Sequence, residues 1–379
     1  MNRIYLDNSA TSFPKPKEVL SAMEDYFLNN GSNIQRGETE YNFSAEDKII
    51  SLRERLSSLV NSAHPENTVF TQNVTSALNT VIQGYLSEGD EVLISPLEHN
   101  AVMRVLIERK IKYSIIPADD NGEIIPDEIA KLITPKTKAV IIQAANNVTG
   151  AVQPVHETGR ILREYGIPLV IDSAQALPHI DLDMEADDIS VLCFTGHKGL
   201  LGPQGTGGFI AKPEMIKKIK PLIFGGTGSF SDLLTQPENL PDRFESGTQN
   251  IIGLIGLEAA LEYLERNKDG IRKKERCIKE YFLNNLLDIQ HIKTHSASAE
   301  IPIVSLSSKD FDVAELSNYL AANNVQTRVG LHCNVMTNKY IGTYPEGTIR
   351  FSFSHYNTKE EADSCINLIK EFLNEKGLL

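Results

Sequence analysis

Cysteine is scarce in this chain. Its 379 residues hold four, Cys193, Cys277, Cys333 and Cys365, and no two form a CxxC pair. That excludes a disulfide scaffold and argues against a zinc site or a dithiol redox pair. Long apolar runs are also missing, so no segment is expected to span a bilayer. The opening residues, MNRIYLDNSA, contain no apolar leader. Positive charge is in deficit: 37 Lys and Arg face 50 Asp and Glu, a net −13. An acidic protein repels phosphate backbones and anionic lipid. Neither nucleic acid nor membrane is therefore expected as a partner. The expected compartment is the reducing cytoplasm, where free thiols persist.

What is present is ordinary globular composition, 41% hydrophobic and 23% charged. The length suffices for a buried core and two or three domains. Short apolar runs predict strands at 68–70, 91–95, 112–116, 138–143, 168–172, 189–194 and 207–211. Several, such as AVII and VLCF, are apolar on both parities, as in a sheet covered on both faces. Helical patterns fall between them at 75–86, 100–109, 126–133 and 155–165. The alternation predicts an α/β fold with a mostly parallel sheet. Residues 225–250 are rich in Gly, Ser, Pro and Asn and predict a loop. A long helix is expected from Ile251 to Leu287. Beyond it the pattern becomes α+β, with strands at 301–307 and 348–354 and a helix at 313–323. Thr358 and Glu361 form a capping box for the last helix.

Ligands of open α/β sheets sit at the carboxyl ends of strands, so the residues following each strand carry the chemistry. Asp172 ends an apolar strand and either seeks a cationic partner or caps a helix. Lys198 lies in TGHKGLLGPQG, among glycines that permit close approach of a bulky ligand. A poorly solvated lysine there is a candidate nucleophilic amine, and the alternative is a solvated turn lysine. Thr195 and His197 add groups suited to phosphate. Thr75 and Ser76 stand where a helix begins, fit either to bind an anion or to cap the helix. His99 can stack on a planar ring, move protons or simply sit at the surface. An amine, a carboxylate, hydroxyls and a histidine together suit pyridoxal phosphate.

The ordered motifs YLDNSATSFPKP, NVTSALN, LEHNAV, NNVTG, VIDSAQ, TGHKGLLGPQG, FESGTQN, TRVGLHC and GTIRFSFS cover nearly the whole chain. Together they resemble the cysteine desulfurases of the class V aminotransferase group, which have the pyridoxal-phosphate fold type I. The resemblance implies a large domain at 15–255 with a mostly parallel sheet flanked by helices. A smaller α+β domain would comprise 1–14 and 256–379. Lys198 would be the Schiff-base lysine, and Asp172 would pair with the pyridine nitrogen. Gln175 would contact the ring oxygen and His99 would stack on the ring. Thr75, Ser76, Thr195 and His197 would hold the phosphate, with Thr248 reaching it from a second subunit of a homodimer. Asn147 would lie against both cofactor and substrate. Arg350 and Arg328 would hold the substrate carboxylate. Cys333 would take sulfur from L-cysteine as a persulfide, leaving alanine, with His332 and Arg328 stabilising its thiolate. A sulfur-acceptor protein or small thiol would receive the sulfur.

Three other activities fit the same motifs. One is a selenocysteine lyase acting on L-selenocysteine. Another is an aminotransferase or β-lyase that does not use Cys333. The third is a sulfur carrier or scaffold that has lost catalysis, against which Lys198, Asp172 and His99 argue. The segment CNVMTNKY departs from the resemblance, which would have Ala and then Pro after the cysteine. Gln35 and Thr39 also stand where relatives often have histidines. Gly330 and Gly342 flank the cysteine segment, so residues 331–341 are expected to form a mobile loop.

Overall fold

A computed structural model describes residues 3–34 and 39–379 of the chain. Gln35 lies outside the described residues. A seven-stranded sheet forms the centre. Its order is 68–71, 207–211, 189–195, 169–172, 137–143, 91–94 and 112–115. Neighbours run parallel, except that 207–211 is antiparallel to both strands beside it.

Alternate residues of the central strands enter two different cores. Val140, Ile142, Leu192 and Phe194 face one side, with Leu52, Leu56 and Leu257. Ala139, Ile141, Val191 and Cys193 face the other, with Val81, Val102 and Ile219. Apolar residues on both parities thus mark burial on both faces, at about 1.5–3 kcal/mol for each large side chain fully buried. The outermost strand, Lys112–Ile115, is exposed along its length.

The helix Val155–Tyr165 stops at Gly166, whose φ of +64° suits a residue without Cβ. The helix Ile251–Asn284 starts at Asn250, whose side chain accepts from the Gly253 amide at 3.2 Å. Leu254, Leu264 and Ile271 pack in the first core, while Ile278 and Phe282 pack in a third. That third core belongs to an antiparallel sheet ordered 328–330, 348–352, 303–307 and 293–295. The final helix, Lys359–Glu375, covers it and carries the capping box of Thr358 and Glu361. Cys365 is fully buried there, whereas Cys277, on the long helix, is exposed.

The N-terminal segment ties the four-stranded sheet to a two-stranded pair and, through the Ser12 amide donating to His197 O at 3.0 Å, to the loop after strand 189–195. Ile4–Tyr5 pairs in parallel with Val325–Gln326. Asp7 bridges to Ser352, and the Ser9 amide donates to Ser352 Oγ at 2.8 Å. Thr39 caps the helix Glu40–Leu59 together with Asn42. No helix among the described residues is long and apolar enough to cross a membrane.

Candidate active site

The carboxyl ends of the central strands form a polar floor. Asp172 ends its strand, and its Oδ1 accepts from the Ala174 amide at 2.9 Å. Turns follow rather than a helix, so Asp172 caps a turn. Burial pushes its carboxyl pKa up, against the Ala174 hydrogen bond and the nearby Lys198 charge. Burial lowers Lys198 to about 8, with Asp172 opposing and Arg350 and Arg328 adding to the fall. Gly196, two residues earlier, admits no side chain: a Cβ there would lie 2.1 Å from Thr206 Oγ1.

His99 caps the helix Asn100–Glu108, its Nδ1 accepting from the Ala101 amide at 3.1 Å. That bond fixes the neutral tautomer with the proton on Nε2. Burial, with Lys198 and three arginines, lowers its pKa to about 4. His197 falls to about 4 as well, through burial and the lysines Lys198 and Lys15. Asn73, not Thr75 or Ser76, caps the next helix. Its side chain accepts from the Ser76 amide, while Thr75 is left exposed at the helix start. Gln175 donates to the Ser9 carbonyl at 3.0 Å.

Several buried polar atoms here have no partner: Thr195 Oγ1, His197 Nδ1, Arg350 Nε and Glu98 Oε2. Buried polar groups are normally paired. Unmet hydroxyl, imidazole and guanidinium groups together suit an anionic guest.

The opposite wall comes from the smaller sheet. Arg328 and Arg350 are directly cross-strand. Arg350 is buried, bonded to Asp7 Oδ1 at 2.9 Å and to the Asn147 carbonyl at 2.9 Å, while Arg328 is exposed. Cys333 is exposed and lines a cleft of about 430 Å³ with Thr75, His99, Asn100 and Arg104. His332 and Cys333 both adopt left-handed backbone, at φ +53° and +56°. Such a pair costs about 1–2 kcal/mol per residue and needs external support. Support comes from hydrogen bonds to both carbonyls. Asn147 Nδ2 donates to His332 O at 2.8 Å, and the Asn100 amide donates to Cys333 O at 3.0 Å.

The next residue, Asn334, is fully buried. Its Nδ2 donates to Leu97 O at 2.8 Å and Asn147 Oδ1 at 2.9 Å, and its Oδ1 accepts from the Thr337 amide at 3.0 Å. Asn146, Thr337 and Gln143 donate to the same Leu97 carbonyl.

Three expectations change here. The segment after Cys333 is a helix, Val335–Tyr340, rather than an open loop, because Asn334 caps it. Asn147 is not free for substrate, since both ends of its amide are engaged by the cysteine segment. His332 supplies no charge to a thiolate, because burial and Arg350 lower its pKa to about 3. Thr248 is exposed just before the long helix, and the single chain does not bring it to the floor.

The family model for aminotransferase class-V matches residues 4–365. The chain belongs to this family. A probable cysteine desulfurase of Borreliella burgdorferi is 30% identical, covering 98% of this chain and 92% of its own. One of Halalkalibacterium halodurans is 32% identical, covering 95% and 91%. The apo cysteine desulfurase of Thermococcus onnurineus superposes with a TM-score of 0.90 at 29% identity, covering 98% of this chain and 95% of that one. The Escherichia coli cysteine desulfurase CsdA gives 0.87 at 26%, again over 98% and 95%.

Beside these class-V features stand two residues that sequence reasoning passed over. Glu98, in LEHN, is fully buried, and burial raises it to about 8 against hydrogen bonds from Ser95 (2.5 Å) and the Gln143 amide (3.1 Å). Lys15, in FPKP, donates to Ser12 Oγ and His197 O, both at 2.7 Å, and burial lowers it to about 7. Both sit inside quoted motifs, and only their burial distinguishes them from surface charges.

Proposed function

We propose that this class-V enzyme is a pyridoxal-phosphate-dependent cysteine desulfurase. It converts L-cysteine to L-alanine and takes the sulfur onto Cys333 as a persulfide. The observation that carries this is a shared cleft: an exposed thiol, a neutral histidine and a hydroxyl at a helix start line one cavity. Bound there, the cofactor supplies an electron sink for charge developing at the substrate Cα.

Lys198 binds it and, with a pKa of about 8, can take and return a proton at Nζ near neutral pH. Asp172 holds the cationic ring nitrogen, a partner that offsets its burial. His99 would stack on the ring as an uncharged plane, Gln175 would face the ring oxygen, and Thr75, Ser76, Thr195 and His197 would hold the phosphate. Arg350 and Arg328 bind the substrate carboxylate, which relieves the repulsion between two cations set opposite each other. Cys333 Sγ bonds to the substrate sulfur as the Cβ–S bond breaks. The electron pair goes to Cβ, and a proton completes the methyl group of alanine. An acceptor thiol then removes the sulfur from Cys333. The proposal places the cofactor unit at 15–255 and the smaller unit at 1–14 and 256–379, with the long helix shared.

A second copy of the chain completes the site through Thr248. Exposed Ile223, Phe224 and Leu234 on the segment before it support such a contact. The test is alanine formed from L-cysteine by wild type and Cys333→Ala, with a thiol reductant present. The expected result is alanine from the wild type and at least a hundredfold less from the variant, roughly the effect of losing a nucleophile. Equal alanine from both would remove Cys333 from the chemistry.

A further inference from the structure

Behind Lys198 lies a buried cluster that the reaction above does not use. His179 follows the Asp172 strand, Glu275 lies on the long helix, and His355 follows the strand Thr348–Ser352. The Glu275 carboxylate stands between the two imidazoles. Its Oε2 is 3.3 Å from His179 Nδ1, and its Oε1 is 3.8 Å from His355 Nδ1. Burial alone would push the Glu275 carboxyl pKa up, yet the two imidazoles hold it below the ordinary range.

The two histidines are not equivalent. His355 Nε2 is taken by the Tyr263 hydroxyl at 3.4 Å, and its ring packs on Tyr356 with centroids 4.0 Å apart. His179 Nε2 instead points along Gly199, the residue after Lys198. A Cβ on Gly199 would lie 3.1 Å from that nitrogen and 2.3 Å from the Leu177 carbonyl. A recess of about 20 Å³ is lined by Lys198, His179, Glu275, Gln175 and Ser12. That is room for one water. Glu275 Oε2, His179 Nδ1 and His355 Nδ1 are all buried with no hydrogen bond of good geometry.

We propose that His179, oriented by Glu275, exchanges a proton with the Lys198 amine through a water in this recess. An N–H bond of Lys198 breaks, the water relays the proton, and an N–H bond forms at His179 Nε2. The reverse passage restores it. The Glu275 carboxylate, 3.3 Å from Nδ1, favours the proton on that nitrogen by charge and so leaves Nε2 as the acceptor. Its negative charge offsets the imidazolium. Other charges face the pair. Arg272, on the long helix, donates to the Pro178 carbonyl at 2.5 Å and pairs with Asp181. Arg350 and Arg328 stand near Lys198 and favour loss of its proton. His179 is thus a positioning residue that acts through Lys198, and the proposal rests on the assignment of Lys198 above.

The test compares wild type with His179→Gln and Glu275→Gln, both loaded with cofactor. The expected result for His179→Gln is a kcat at least about tenfold lower with KM for cysteine nearly unchanged. The pH profile of kcat should also move, and Glu275→Gln should move it in the same direction by less. A readout free of cofactor is the titration of His179, followed by NMR of histidine-labelled apoprotein and assigned by its loss in His179→Gln. Lys198→Ala should shift that titration. A His179 titration indifferent to Lys198, or an unmoved profile in a folded and loaded His179→Gln, would overturn the proposal. Borohydride reduction and peptide mapping of the wild type separate the two layers. Label on Lys198 with an unmoved profile refutes the relay alone, and label on another lysine refutes the Lys198 assignment as well.

Discussion

The floor at the strand ends and the clamp around Cys333 treat polar atoms in opposite ways. On the floor, Thr195 Oγ1 and His197 Nδ1 are buried with nothing to bond, and Lys198 and Asp172 have pKa values displaced by burial. In the clamp, the side chains of Asn146, Asn147, Asn334 and Asn338 are all bonded. A floor with unmet donors is less stable than it could be and is shaped for a guest. A clamp whose asparagines are all bonded needs no guest there and stabilises a strained cysteine backbone, although His332 Nδ1 has no partner. Stability and ligand affinity should therefore separate between the two regions.

The sharpest way to break this contrast is Asn334→Ala. It removes bonds to Leu97 O, Asn147 Oδ1 and the Thr337 amide from a buried site. The expected loss is about 3 kcal/mol in urea unfolding of the apoprotein. A loss under about 1 kcal/mol would mean the clamp is not a stabilising network. Thr195→Val is its counterpart on the floor. Apoprotein stability should hold or rise, while cofactor affinity, read by absorbance titration, falls about tenfold, the effect of one charge-assisted bond.

Lys198→Met extends the contrast to pH. Folding lowers the Lys198 pKa from its ordinary 10.5 to about 8, so the folded chain gives up this proton first. Stability then rises as pH climbs from 8 to 10.5, and the full cost is present below 8. Apo Lys198→Met should therefore melt a few degrees higher than wild type at pH 7, with the gain fading across that window. An equal gain at every pH would point to packing instead. The smallest effect is expected for Glu98→Gln in acid. Folding raises the Glu98 pKa from its ordinary 4.5 to about 8, so below pH 4.5, where the carboxyl is neutral in folded and unfolded chains alike, the neutral isostere should change stability by less than about 1 kcal/mol. Between pH 4.5 and 8 the unfolded carboxyl ionises while the folded one stays protonated, so the variant should become progressively the more stable of the two and hold that advantage above pH 8.

The floor was the more legible region in the sequence. AVII and VLCF announce strands buried on both faces, and Asp172 and Lys198 follow their strands directly, so position alone marks them. The clamp was not legible, because its bonds join residues far apart in the chain. Asn334 meets Asn147 across 187 positions and Leu97 across 237. CNVMTNKY could be read as unusual, yet nothing local says that its asparagines bury themselves. The helix Glu40–Leu59 escaped notice because Tyr41, Phe43 and Ile50 are exposed and blur its apolar face. The strands 4–5 and 325–326 are too short for any periodicity to show.

The N-terminal stitch also sets an order of events during synthesis. Asp7 waits for Arg350, and Ser9 waits for Ser352. By the time those partners leave the ribosome, the sheet bearing Asp172 and Lys198 has long since emerged, on the order of ten seconds or more earlier. A nascent chain can therefore hold its floor residues while the wall opposite them is still unmade. The first residues translated close the site last.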